Sequence, residues 1–234
     1  MANEFFSETA PCSICGEEVK WRSAKRHLKK CREQNPLLPI GKKKTEMFML
    51  RIRGKYEKDY VLIVEMPGSF SLGDLDDYLR RIWLECCGHL SAFTIHGNMY
   101  DSHPADFSFM GEEPNDEMSE VKLSEVLTPG LKFAYEYDFG STTDLELEVL
   151  DIRETFEKLP KAIILLMRNK PPQFKCEVCG KPATIISAMD HSLCCSACAK
   201  TDNDDDDDDD DDDFYGLPLV NSPRTGVCGY DTET

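Results

Sequence analysis

The sequence predicts an α+β fold: a mixed β-sheet with one main packed helix, β-grasp-like, flanked by two small cysteine-rich modules and a disordered acidic tail. Three observations predict it. Leu72, Leu75, Leu79, Ile82, Trp83 and Cys86 recur at three- and four-residue spacing, which gathers them on one helical face. Phe133, Tyr135, Tyr137 and Phe139 alternate with polar neighbours, as do Leu145, Leu147 and Val149, and that is the period of a strand. Cys-x2-Cys pairs stand near both ends of the chain, and paired cysteines at this spacing form metal-binding knuckles.

Each element follows in order. Strands are expected over 48–53 and 60–65, with Pro67-Gly68 as a turn. Ser71 is an N-cap, Asp74 completes a capping-box arrangement, and Gly88 is placed to stop the helix. Short strands follow at 93–95 and 99–100. Residues 102–120 are polar and read as a loop. Val121 to Leu127 reads as a short helical turn that Pro129-Gly130 ends. The hairpin joined by Gly140-Ser-Thr-Thr then packs against the apolar face of the helix. Glu146 and Glu148 share one side of a strand, and alternation explains them without catalysis. Ile163 to Leu166 is apolar and belongs to the core or to a strand beside the second cysteine module.

The chain has 234 residues and a formal charge of -17, unevenly spread. Residues 199–234 hold thirteen acidic residues against Lys200 and Arg224, whereas residues 1–44 hold ten Lys and Arg against five Glu. Met1-Ala-Asn-Glu leads into no apolar stretch, and no window approaches the roughly 20 apolar residues that span a bilayer. The expectation is a soluble cytoplasmic protein with no membrane partner. In that reducing setting eleven cysteines point to metal rather than to disulfides.

Cys12, Cys15, His27 and Cys31 form a zinc finger of three cysteines and one histidine over residues 1–34. Cys-x2-Cys makes a tight knuckle, and His27 and Cys31, four apart, share one face of a helix. That helix is basic, and Lys25, Arg26, Lys29 and Lys30 are its candidate nucleic-acid contacts. A single finger reads only about three base pairs, so it does not specify a sequence alone. Residues 35–46 read as a basic linker to a central domain over 47–170. Cys176, Cys179, Cys195 and Cys198 form a four-cysteine zinc ribbon over 171–200, with Cys194 or His191 as alternative donors. Two structural Zn2+ per chain follow. Four protein ligands leave no open position for a substrate or an activated water.

Cys86 and His89 could also converge on a metal. They read instead as a small buried hydrophobe and a histidine suited to a helix C-terminus. Residues 201–213 carry ten consecutive aspartates and form a disordered tether, because like charges repel and nothing apolar can be buried. Residues 214–234 are different. Phe214, Leu217, Leu219, Pro223, Arg224 and Tyr230 mark a docking peptide, which binds a partner or folds back on this protein. Cys228 lies between small residues, and a redox role is the lesser reading of it.

The segment from about Met47 to Arg153 resembles the plasmid pRiA4b ORF-3-like domain family. His89-Leu90-Ser91-Ala92-Phe93 and Tyr135-Glu136-Tyr137-Asp138-Phe139-Gly140 carry the resemblance. Val64 to Phe70 stands where many members have a Trp-Arg pair. The resemblance implies no activity to carry over. The expected function is that of a zinc-binding, non-enzymatic interaction or adapter protein, whose partner binds the C-terminal peptide or the central domain. The alternative is a nucleic-acid-associated regulator, linked to mobile elements, that uses the basic finger and is modulated by the acidic tail.

Overall fold

The computed structural model describes residues 5–35, 39–103, 116–158, 160–199 and 216–231. The poly-Asp tether, Phe214 and most of the 102–120 loop lie outside them. The fold is mixed α+β, with one large sheet and few helices.

The chain opens with an antiparallel hairpin, β1 (Thr9–Pro11) and β2 (Glu18–Lys20), followed by helix α1 (Ala24–Gln34). The central sheet contains β3 (Ile40–Gly54), β4 (Val61–Pro67), β5 (Ser91–Ile95), β6 (Asn98–Asp101), β7 (Asp116–Glu117), β8 (Lys132–Tyr137), β9 (Thr143–Glu157) and β10 (Ile164–Arg168). Helix α2 (Leu72–Leu79) follows β4, and α3 (Leu123–Val126) is one turn before β8. The strand order is β10-β4-β3-β9-β8-β5-β6-β7, and every neighbouring pair except β6–β7 is antiparallel. A three-stranded sheet near the C-terminus joins β11 (Ile185–Ser187), β12 (Leu193–Cys194) and β13 (Gly216–Pro218) in the order β12-β11-β13.

The two long strands β3 and β9 set the register. Leu50 stands opposite Val149 and Ile52 opposite Leu147, and all four face α2. The intervening Arg51 meets Glu148, and Arg53 meets Glu146 at 2.6 Å, on the other face. The carboxylates that alternate along β9 are therefore cross-strand partners of arginines. The stretch read as a basic linker is strand from Ile40 onward. Its Lys44 pairs with Glu154 of β9, which runs far enough to supply a hydrogen-bonded partner. Ile164–Arg168 pairs with β4 at the sheet edge. It lies against the N-terminal hairpin, where the Ser13 N–H donates to the Leu166 carbonyl at 2.9 Å.

Two apolar clusters lie on opposite faces of this sheet. Leu72, Leu75, Leu79 and Trp83 are completely buried against Phe48, Leu50, Leu62, Phe93 and Tyr135. Burial of each such side chain contributes roughly 1.5–3 kcal/mol. On the other face, Leu28, Val19 and Ala10 of the N-terminal module cover Met49, Ile63, Leu150 and Leu166. Alternation places Leu150 in this cluster, and a bulge in β9 turns Asp151 to the same face, where it accepts from Lys29 of α1 at 2.9 Å. Because both faces are covered at β4, that strand is buried along its whole length.

Helix α2 begins with the expected capping box. Asp74 N–H donates to Ser71 Oγ at 3.0 Å, and Ser71 N–H donates to Asp74 Oδ2 at 2.7 Å. Its end departs from the expected helix running to Gly88. After Leu79 the chain widens into one π turn over Arg80–Leu84, closed by the Glu85 N–H on the Arg80 carbonyl at 2.8 Å. At its start Arg80 reaches Asp76 at 2.6 Å, Glu85 at 2.9 Å and the His89 carbonyl at 2.8 Å.

Candidate metal centres

Three groups of cysteine and histidine side chains converge among the described residues, each with its four donor atoms within 4.8 Å of one another. Two are the predicted ones: Cys12, Cys15, His27 and Cys31, and Cys176, Cys179, Cys195 and Cys198. All eleven cysteines are unbridged.

The two terminal groups share a local construction. Cys12 N–H donates to the Glu17 carbonyl at 2.9 Å, and Gly16 N–H to the Cys12 carbonyl at 2.8 Å. Cys176 repeats this with Lys181 at 2.7 Å, and Gly180 donates back to Cys176 at 2.9 Å. Both turns need a left-handed residue after the second cysteine, and glycine supplies it: φ is 77° at Gly16 and 70° at Gly180.

Helix α1 completes the first group. His27 and Cys31 lie one turn apart, with Leu28 between them buried in the sheet-facing cluster. Cys15 Sγ is 3.4 Å from His27 Nε2, and the Glu17 carboxylate lies 3.7 Å from the other ring nitrogen, Nδ1. In the second group Cys179 and Cys195 sulfurs are 3.7 Å apart. A tetrahedral metal with bonds of about 2.3 Å to sulfur and 2.0–2.1 Å to nitrogen has S···S edges of about 3.8 Å and S···N edges of about 3.5 Å. The donor sets therefore fit a tetrahedral cation. Cys194 sits in β12, and its carbonyl accepts from Thr184 N–H at 2.9 Å. The group takes Cys195 instead.

The thiols show what the cation would balance. Backbone N–H groups of Cys195 and then Cys179 pull the Cys176 thiol down to about 6, and the Cys198 N–H lowers that of Cys195. Hydrogen bonds from the Cys179 and Cys195 side chains push Cys198 up to about 12, and burial pushes Cys31 to about 12. Several thiolates so close together repel one another, and a divalent ion supplies the missing positive charge.

The third group is Cys86, Cys87, His89 and Cys228. From sequence, Cys86 and His89 read as packing residues. The structure adds Cys228 from the C-terminal peptide, with its sulfur 3.3 Å from His89 Nε2.

The C-terminal peptide, read from sequence as a docking segment, is described from Gly216 onward. It packs on its own chain, with Leu217, Pro223, Arg224 and Tyr230 buried and Leu219 half-buried. Leu217 pairs with Ile186 of β11. Trp83 Nε1 donates to the Asn221 carbonyl at 3.1 Å, and Ser222 Oγ donates to the Trp83 carbonyl at 2.6 Å. Arg224 is fully buried. It donates to Asp138 at 2.7 Å and to Thr143 Oγ1 at 3.0 Å, and it lies over the Tyr137 ring. Thr143 and Asp138 gave no sequence signal of this role, because their partner stands more than eighty positions away.

The basic residues predicted to touch nucleic acid are exposed on α1: Lys25, Arg26, Lys29 and Lys30. Lys29 is tied to Asp151 at 2.9 Å. With Arg22 and Glu33 these four line an open hollow of about 500 Å³. A second cleft, of about 570 Å³, lies between the N-terminal module and the sheet.

The family described as plasmid pRiA4b ORF-3-like protein matches residues 55–191. The chain belongs to that family. The pRiA4b ORF-3-like match covers most of the central sheet and reaches into the second cysteine module. The finger-like head and the C-terminal peptide lie outside it. A solved structure similar to this chain is the crystal structure of protein of unknown function MM3350 from Methanosarcina mazei Go1. It is 16% identical, with 58% of this chain and 75% of that chain covered and a TM-score of 0.42. No curated protein matches the chain. No helix among the described residues is long and apolar enough to cross a membrane.

Proposed function

We propose that this pRiA4b ORF-3-like protein is a zinc-binding, non-enzymatic interaction protein of the cytoplasm. Its two terminal centres are structural zinc sites, and its partner is an acidic protein segment. The observation that carries this reading is the cleft between the N-terminal module and the sheet. Lys20, Arg22, Lys25, Arg51, Arg53 and Lys58 line it beside Trp21, and its acidic members are Glu8, Asp59 and Glu148. Arg51 and Arg53 are already paired across the strands, which leaves the module's cations and Lys58 to meet a ligand. Zinc at Cys12, Cys15, His27 and Cys31 holds that wall in place. Complete four-donor sets support a structural role for both metals.

The alternative is a nucleic-acid-associated regulator. The exposed basic hollow on α1 favours it, since Arg22, Lys25, Arg26 and Lys30 sit together there. In either reading the ten aspartates of residues 204–213 compete for the basic surface.

The test uses the full-length chain and a chain lacking residues 202–213, each titrated with a labelled deca-aspartate peptide and with a short DNA duplex across a salt series. The interaction reading predicts peptide binding that tightens on deletion and weakens in Lys25→Glu, Lys58→Glu. The regulator reading predicts duplex binding with a steep log–log salt slope. Binding of neither probe by the deletion chain contradicts both.

A further inference from the structure

We infer that Cys86, Cys87, His89 and Cys228 form a third zinc site, which closes only when the C-terminal peptide is seated on the central domain. The four donor atoms lie within the same 4.8 Å as those of the terminal groups, and the His89–Cys228 separation of 3.3 Å is close to a tetrahedral S···N edge. Three thiols and one imidazole are a soft to borderline donor set that selects zinc over magnesium or calcium. Four protein donors close the shell, so the site is structural.

The fold delivers each donor by a separate device. The π turn ends at Leu84 and the chain turns extended at Glu85, which carries Cys86 and Cys87 off the helix. The Glu85 carboxylate accepts from Gly88 N–H at 2.5 Å and so ties the loop to its own start. Arg80 holds the His89 carbonyl at 2.8 Å. On the other segment Cys228 sits at φ 51°, a left-handed conformation that is strained for a non-glycine residue. Buried Arg224 and Tyr230 clamp the backbone on either side of it. Cys228 itself is exposed, so packing of its side chain does not account for that conformation. Arg224 Nη2 stands 3.4 Å from Cys86 Sγ, and Asp138 Oδ2 stands 3.6 Å from His89 Nε2; these two bordering charges are opposite and are paired with each other at 2.7 Å.

Two features distinguish this site from the terminal pair. Its donors come from segments 139 positions apart, so the loop alone supplies three and the peptide must supply the fourth. None of its members is buried, whereas each terminal group buries two. Metal binding and peptide docking are therefore linked, since an ion that binds only the docked state stabilises docking by mass action. The third zinc is also the most accessible to a chelator. The site thus acts as a metal-dependent latch on residues 216–231.

The experiment measures zinc per chain by elemental analysis on the full-length protein, purified with a thiol reductant and saturated with zinc. It compares wild type with Cys228→Ser, with His89→Ala, and with Cys176→Ser, Cys179→Ser as a separate report on the terminal reading. Hydrogen exchange over residues 216–231 is followed during a graded chelator titration. Three zinc ions per chain are expected. Cys228→Ser and His89→Ala should each lose one, with unchanged far-ultraviolet circular dichroism. The first zinc removed should speed exchange in the peptide by about tenfold or more. Zinc contents of Cys228→Ser and His89→Ala equal to that of wild type, or a disulfide from Cys228 to Cys86 or Cys87 in the reduced, zinc-saturated protein, would each overturn the site. Loss of zinc only in Cys176→Ser, Cys179→Ser would leave the terminal reading standing and remove this one. Loss only in Cys228→Ser and His89→Ala would do the reverse.

Discussion

Arg224 and Asp138 form a buried ion pair, with Nη2 donating to Oδ2 at 2.7 Å. Asp138 adopts a left-handed φ of 63°, and its other carboxylate oxygen accepts from Gly140 N–H at 3.1 Å and Ser141 N–H at 3.2 Å. The pair joins the turn between β8 and β9 to the C-terminal peptide. It is surrounded by polar contacts, including the Ser141 carbonyl and Thr143.

Removing one member leaves the other buried and uncompensated. Arg224→Met should weaken peptide docking by about 3–5 kcal/mol, the usual cost of breaking a buried pair. Hydrogen exchange in residues 216–231 should accelerate while the central sheet stays protected. Unchanged exchange in the peptide would refute this role for Arg224.

The same pair sets a pH dependence. Burial alone would raise the Asp138 carboxyl; Arg224 and the Ser141 and Gly140 N–H groups more than offset this and hold it below its ordinary 3.8. A carboxyl depressed in the folded state stabilises above its unfolded pKa, and that contribution is lost as pH falls through the folded value. Asp138→Asn should therefore loosen the peptide at neutral pH. Its difference from the parent should shrink once the pH drops below about 4. Peptide exchange compared in the Cys228→Ser background keeps acid release of the latch metal out of the comparison. A difference that grows on acidification would mean that the Asp138 carboxylate does not stabilise the docked peptide.

The N-terminal module docks through an equally buried charge cluster. Arg32 of α1 contacts Glu65, and Arg153 Nε donates to Glu65 at 2.8 Å, with both the Arg32 and Glu65 side chains about 1% exposed. Arg32→Met should detach α1 from the sheet, and Leu28→Ala should cost about 2–5 kcal/mol as a cavity mutation. Both should lower the thermal midpoint and expose β10 to exchange. A midpoint unchanged in both variants would mean that the module does not rest on the sheet.

Local chemistry in the sequence was enough for several of these features. Ser71 and Asp74 stand three apart at a helix start, so their reciprocal hydrogen bonds depend on no distant residue. Cys12 with Cys15, and Cys176 with Cys179, are knuckles for the same reason. Alternation along 133–149 gave the hairpin because one face is buried under α2. Other features depended on distant partners. Lys42, Lys43 and Lys44 show no apolar alternation, yet β9 is long enough to pair their strand. Cys228 is brought to His89 across 139 positions, and spacing carries no record of that approach. The sequence hint that remained was Gly226 and Gly229 around Cys228, where φ values of 79° and 69° mark a chain bent to present a side chain.

The most direct test of the central claim is zinc K-edge X-ray absorption on the full-length, zinc-loaded chain. Closed structural centres predict a first shell of four donors per metal, dominated by sulfur at about 2.3 Å with a minor nitrogen component. That signal should persist unchanged when acidic peptide or DNA is added. A light-atom shell that indicates bound water, or a chain that holds no zinc at all, would contradict the claim of closed structural zinc centres.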